Sequence, residues 1–141
     1  KFNISDNLKY KGKVEFKNQC VMLRNPEHKY SPPAQKIIRT RFKNVFTDGG
    51  SIGIWLARLW KREVVAAIIP PAWETPWDVT PLLGFSKKLG YAYFRPVGNA
   101  YEDKWERFYP ELLQKKRKQN HDTLIIHEND ISQISDLIQS S

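Results

Sequence analysis

Cysteine is nearly absent from this 141-residue chain: Cys20 stands alone, accompanied by one methionine and three scattered histidines, His28, His121 and His127. A single thiol excludes an intramolecular disulfide, and with dispersed histidines it cannot complete a structural zinc site of the Cys/His kind. Its setting, Gln19-Cys20-Val21-Met22-Leu23, is an apolar run with strand character, so the thiol reads as buried and inert. A lone thiol without a disulfide framework suits a reducing, intracellular compartment. Long hydrophobic runs are missing too. The longest mainly apolar stretch, Ile52 to Ile69, is interrupted by Arg58, Lys61, Arg62 and Glu63, which leaves no comfortable membrane span. Internal repeats and low-complexity tracts are absent.

Acidic residues are scarce at the start of the chain. The first 62 residues carry 14 Lys and Arg against four acids, a net of +10, whereas the remaining 79 carry nine against 11, a net of −2. Clustered positive charge recruits polyanions, while the same charge spread evenly only keeps a protein soluble. From His121 onward there are four acids and no Lys or Arg. The chain therefore reads as a basic domain over residues 1–120 followed by an acidic amphipathic tail over 121–141, packed on the domain or extending from it.

What is plentiful is aromatic: five Trp, six Tyr and seven Phe. Hydrophobic residues make up 40% of the sequence, enough for one core at this length. Residues 8–24 alternate as strands, with Lys11-Gly12-Lys13 as the turn of a hairpin. A proline-punctuated loop follows over 25–33. Lys36 to Phe46 then reads as a half-buried strand, Ile38, Thr40 and Phe42 facing in and Arg39, Arg41 and Lys43 facing out. Ile52, Trp55, Leu56, Leu59 and Trp60 recur at helical spacing behind a Ser51 or Asp48 cap. Val64 to Ile69 is a β-branched run closed by Pro70-Pro71, most simply a buried strand.

Trp73 to Asp78 reads as an irregular aromatic loop. Thr80-Pro81 opens a helix that Gly90 ends, and Tyr91 to Arg95 returns as a strand. Glu102 to Lys118 has acids first and Lys115-Lys116-Arg117-Lys118 last, which complements a helix dipole. Leu124 to Ile126 forms a short strand, and Ile131, Ile134, Leu137 and Ile138 mark a terminal amphipathic helix. The fold class expected is α/β or α+β, a single small domain with a mostly antiparallel sheet, two or three helices and an acidic helical tail.

The basic residues are the strongest functional signal. Arg39, Arg41 and Lys43, with Lys9, Lys11 and Lys13 from the hairpin and Arg58, Lys61 and Arg62 from the next helix, would form one cationic surface if those elements were neighbours. Phosphates ask only for charge and donors at backbone spacing, so such a surface binds nucleic acid without reading its sequence. Tyr91 and Tyr93, on alternate positions of a strand, offer rings on which bases can stack. The Trp- and Pro-rich segment 70–81 and the acidic tail are candidate docking sites for protein partners.

Three resemblances add alternatives. Gly90-Tyr91-Ala92-Tyr93-Phe94 resembles part of the aromatic strand of RNA-recognition-motif domains. Residues 45–95 resemble the second half of GNAT-type N-acetyltransferases, with Gly49-Gly50-Ser51-Ile52-Gly53 as the loop and Lys88-Leu89-Gly90-Tyr91 as the strand junction. That resemblance implies an acyl-CoA-dependent transferase in which Gly49, Gly50, Ser51 and Gly53 hold the pyrophosphate of acetyl-CoA. Asp6 with Glu15-Phe16-Lys17 is similar to the Asp, Glu-x-Lys arrangement of restriction-type nucleases, implying carboxylates on a divalent metal such as Mg and a lysine near the attacked phosphate. The leading reading is a basic, sequence-tolerant nucleic-acid-binding domain with no cofactor, suited to a nucleoprotein assembly.

Overall fold

The computed structural model describes residues 15–49, 51–70, 84–97, 104–109 and 121–138, and the backbone of 73–74 and 117–118. The described residues form eight strands: β1 (Cys20–Leu23), β2 (Asn44–Thr47), β3 (Ala66–Ile69), β4 (Trp73–Glu74), β5 (Tyr91–Val97), β6 (Lys104–Phe108), β7 (Arg117–Lys118) and β8 (Thr123–His127). Helix α1 spans Pro32–Arg41 and α2 spans Ile52–Trp60; α3 is helical over 84–88. Six strands form one sheet in the order β2-β1-β3-β8-β5-β6, and β4 pairs with β7 apart from it.

Four of the six strand pairings are antiparallel, in line with the expected sheet, but β1 pairs parallel with both β2 and β3. The chain moves from β1 to β2 on one side, then crosses back over β1 to β3 on the other. Right-handed crossovers in opposite directions put their helices on opposite faces of a sheet. Packing obeys this rule. Ala34, Ile37 and Ile38 of α1 cover a first face with Val21, Leu23, Ala66, Ile68, Ala92, Phe94, Leu124 and Ile126. Trp55, Leu56 and Leu59 of α2 cover the second with Met22, Ala67, Tyr91, Tyr93 and Ile125, and Phe85 of α3 packs there too. Successive residues of each central strand divide between the two cores, as the period of two demands.

Helix α1 replaces the strand expected over Lys36 to Phe46. Ser31 caps it with a side chain that accepts from the Ala34 N–H at 3.5 Å, and Pro32 occupies the first turn. Ile37 and Ile38 are both buried, which adjacent residues of a half-buried strand cannot be. Ile38 and Phe42, which the alternating reading placed together, both enter the first core, Phe42 from the extended residue that ends the helix. Thr40 instead turns outward and donates back to the Lys36 carbonyl at 2.7 Å.

The helix expected over Glu102 to Lys118 is also replaced, by strands β6 and β7. Trp105 and Phe108 would share a face of a helix. Here Trp105 enters the first core and Phe108 the second, because residues three apart on a strand point to opposite sides. The gain from filling both cores while extending the ladder to β5 outweighs a local helical preference. Of the hairpin expected over residues 8–24, the described part holds a 3₁₀ turn at Phe16–Asn18 and β1, whose two partners are parallel; residues 8–14 lie outside the described residues. The terminal amphipathic segment is a 3₁₀ run over Glu128–Leu137 with a break at Ile134, and it packs on the first face through Ile134, Ile131, Leu137 and Ile138.

The Ser31 hydroxyl also donates to the carboxylate of Asp122, only 1% exposed, which accepts from the Ser31 N–H at 3.1 Å as well. Ser31→Ala removes a helix cap and strips a buried carboxylate of a donor. It should cost about 1–3 kcal/mol in urea-induced unfolding at neutral pH; a loss under about 0.5 kcal/mol, the ordinary surface range, would show the cap idle.

Candidate functional site

The cations singled out from the sequence do not lie on one strand face. Arg39 and Arg41 sit on α1, Lys43 between α1 and β2, Arg58 on α2, and Lys61 and Arg62 just after it. Lys9, Lys11 and Lys13 fall outside the described residues, as do Asp6 and Gly50. Most of the described set meets an acid. Arg39 Nε lies 2.5 Å from Glu27, and Arg41 Nη2 lies 2.5 Å from Asp136. Arg58 is 3.7 Å from Asp48 and 3.8 Å from Glu63; Lys61 is 3.8 Å from Glu63. Arg62 Nη2 is 3.1 Å from the fully buried Asp130. Lys43 remains exposed.

Tyr91 and Tyr93 are 2% and 3% exposed, so neither presents the open ring that base stacking requires. Tyr91 instead donates to the Leu59 carbonyl at 2.8 Å, and burial lifts the Tyr93 hydroxyl to about 12. Alternation along β5, an interior strand covered on both faces, turns both rings toward α2, a position the aromatic pattern alone did not reveal. Glu15 and Lys17 are exposed on a 3₁₀ turn and pair with each other at 3.3 Å. Among the described residues no group of three or more His, Cys, Asp or Glu is placed to hold a metal. Of the segment 70–81, only Pro70 and the β4 backbone are described.

At the end where β1, β2 and β3 all finish, a denser polar cluster forms. The Tyr30 hydroxyl donates to the Ile68 carbonyl at 2.9 Å and accepts from the Arg24 N–H at 3.1 Å, tying the exit of β1 to β3. Asp48 N–H donates to the Leu23 carbonyl at 3.0 Å, which ties in the exit of β2. The Arg24 guanidinium stands 5.5 Å from the centre of the Trp55 ring, one turn into α2. Arg58, the next residue on that helical face, lies 4.9 Å from the ring of Phe46. Ser51 caps α2 without a side-chain hydrogen bond to its amides. On the other side of the sheet, burial pushes the Asp122 carboxyl above its usual range while the Ser31 donors partly hold it back.

This edge is where open α/β sheets take ligands. Parallel strands aim their carboxyl ends at a crevice that opens where successive crossovers diverge, here between β1 and β3. Of its residues the sequence reading had picked out Gly49, Ser51 and Arg58, and had missed Arg24, Tyr30, Ser31 and Asp122. The Ser31-Pro32 pair carried a usable signal, being a helix-start signature of the same kind as Thr80-Pro81. Nothing local marks Arg24, whose surroundings come from α2.

A three-layer α/β domain with a polar cluster at its parallel-strand edge is the class that fold and site define. Among solved structures, the chain is similar to inositol monophosphatase-II from Staphylococcus aureus MSSA476, with 12% identity over 92% of this chain and 44% of that one, at a TM-score of 0.55. It is similar in the same degree to inositol monophosphate-bound SaIMPase-II, with 14% identity over 90% and 44% of the two chains and a TM-score of 0.55. The 2′AMP-bound SaIMPase-II gives 14%, 91%, 44% and 0.55. The chain thus spans less than half the length of these structures. No family model and no curated protein matches the sequence. At such identities the likeness establishes the fold alone.

The far end of the sheet holds a second polar group. Arg62 has a left-handed φ of 63° and closes α2 in the manner of a terminal glycine, with Arg62 N–H donating to Leu59 and Glu63 N–H to Arg58, each at 3.0 Å. His127 accepts from the Asn129 N–H at 3.1 Å and thereby caps the terminal 3₁₀ segment. Its ring stands edge-on to Tyr91, and a Cβ on Gly90 (φ 93°) would come within 2.8 Å of it. Burial, reinforced by the charge of Arg62, holds the His127 imidazole below its ordinary value despite Asp130 and Glu128 nearby. A histidine kept neutral by folding gives its full stability above the unfolded value of 6.5 and loses it as pH falls below that. Between pH 7.5 and 5 the wild type should therefore lose more unfolding free energy than His127→Asn, which keeps an acceptor but does not titrate; parallel slopes would contradict this.

Proposed function

We propose that this chain is a lobe of a protein that binds a small phosphomonoester at the carboxyl edge of β1, β2 and β3. The observation that carries the reading is the arrangement of that edge: three parallel strand ends, the start of α2 and two arginines, Arg24 and Arg58, lie at the same end of the sheet. Helix starts and guanidinium groups both favour phosphate oxygens. The fold likeness supports the same chemistry, because the solved structures sharing this fold include complexes with inositol monophosphate and 2′AMP, both phosphomonoesters.

Sequence-tolerant nucleic-acid binding through Arg39, Arg41 and Lys43 draws on the same positive first half. It is the weaker reading, since Arg39, Arg41 and Arg62 already hold acids at 3.1 Å or less. An acyl-CoA-dependent transferase would direct its pyrophosphate to the same start of α2, through Gly49, Ser51 and Gly53.

Thermal unfolding with inositol 1-phosphate, 2′-AMP, acetyl-CoA, an oligonucleotide or unphosphorylated inositol separates these readings. A phosphomonoester at about 100 times its dissociation constant should stabilise the fold by about 2.7 kcal/mol, and inositol should leave it unchanged. No response to either phosphomonoester at millimolar concentration would overturn the proposal. A response to oligonucleotides alone, falling steeply with salt, would establish the nucleic-acid reading in its place.

A further inference from the structure

Buried guanidinium nitrogens without partners are uncommon, because each forfeits its hydration and gains nothing in exchange. Two occur at one edge of this sheet. Arg24 Nη1 and Arg58 Nε are both buried with no hydrogen-bond partner among the described residues. Arg24 has no ion pair there either, and the two acids near Arg58 stand at 3.7 and 3.8 Å, beyond hydrogen-bonding distance. Each guanidinium is instead held beside an aromatic ring, Arg24 on Trp55 and Arg58 on Phe46. Stacking fixes the plane of the group while leaving its N–H edge free to donate.

The two are neighbours by construction. Trp55 and Arg58 are one turn apart on α2, Phe46 is two residues before Asp48 in β2, and Asp48 hydrogen-bonds the residue before Arg24. We infer that Arg24, with Arg58 beside it, is the anion clamp of the crevice and takes the phosphoryl oxygens of the ligand. The inference rests on the phosphomonoester reading above and names the residues that carry its charge recognition. A dianionic phosphoryl group supplies acceptors to the orphan donors of both arginines, and its charge meets a local sum in which Arg24, Arg58 and Lys61 outweigh Asp48 and Glu63 by one. A neutral polyol offers neither. The ligand class is thus defined by its phosphate and not by its ring.

The test measures binding of inositol 1-phosphate by titration calorimetry to the wild type, Arg24→Met, Arg24→Lys and Arg58→Met. Methionine keeps the stem packed on Trp55, so Arg24→Met should weaken binding about tenfold or more, and lysine should restore part of that loss because it keeps the charge without the fork. A second measurement needs no variant: phenylglyoxal labelling of the wild type, read by mass spectrometry, should be slowed at Arg24 by inositol 1-phosphate and unchanged at Arg39. If the wild type binds no phosphomonoester, the functional reading itself falls. If the wild type binds, yet Arg24→Met binds equally well or Arg24 is labelled at the same rate with ligand present, the clamp alone is overturned. Should Arg24→Met fail to fold, the labelling result decides.

Discussion

Each central strand of this protein must be apolar on both sides, because helices cover both faces of its sheet. That constraint organises the rest of the molecule. Val21 and Leu23 enter one core while Met22 enters the other; Ala66 and Ile68 divide from Ala67 in the same way, and Leu124 and Ile126 from Ile125. A register slip of one residue would exchange the two sets wholesale, so packing on both faces specifies the ladder. Small residues set the spacing: Ala66, Ala67 and Ala92 admit the Trp and Ile side chains of the helices above them. The edge strand β2 escapes the constraint, and all four of its residues are exposed.

Charge is arranged around this frame, not spread over a flat face. The terminal segment returns acids to the basic half, where Asp136 meets Arg41 and Asp130 meets Arg62, and Glu128 meets Arg107 of β6. Exposed pairs such as Arg41 and Asp136 contribute little to stability, but they cancel field where a polyanion would otherwise dock. The pair of Arg62 with the buried Asp130 has a different role. It holds a non-glycine residue in a left-handed conformation at the end of α2, at a cost of about 1–2 kcal/mol, and joins that end to the segment that closes the first core. The acidic tail is therefore part of the domain's closure.

Opposite that closure, the carboxyl ends of β1, β2 and β3 are joined by Tyr30, Asp48 and the Ser31–Asp122 contact. These links hold three loop starts in fixed relation, which a ligand site needs more than it needs any single charged residue. The same hydrogen bonds leave Arg24 stacked and undersatisfied. Structure and chemistry thus concentrate at one edge while the other edge is tied shut.

Helix α2, strands β1, β3, β5 and β8, and the left-handed turn at Gly90 were legible in the sequence by itself, since each declares itself through local periodicity or a residue the backbone requires. The asymmetry of charge was legible too. Tertiary structure alone decided that Lys36 to Arg41 is helical, that Trp105 and Phe108 lie in a strand, and that Tyr91 and Tyr93 are buried. In each case the local pattern allowed two periods, and only the second face of a covered sheet selects between them. It also decided which cations are paired: ion pairs join residues as far apart as Arg41 and Asp136, so no local count distinguishes a neutralised arginine from Arg24, whose guanidinium lies beside a tryptophan ring and no acid among the described residues.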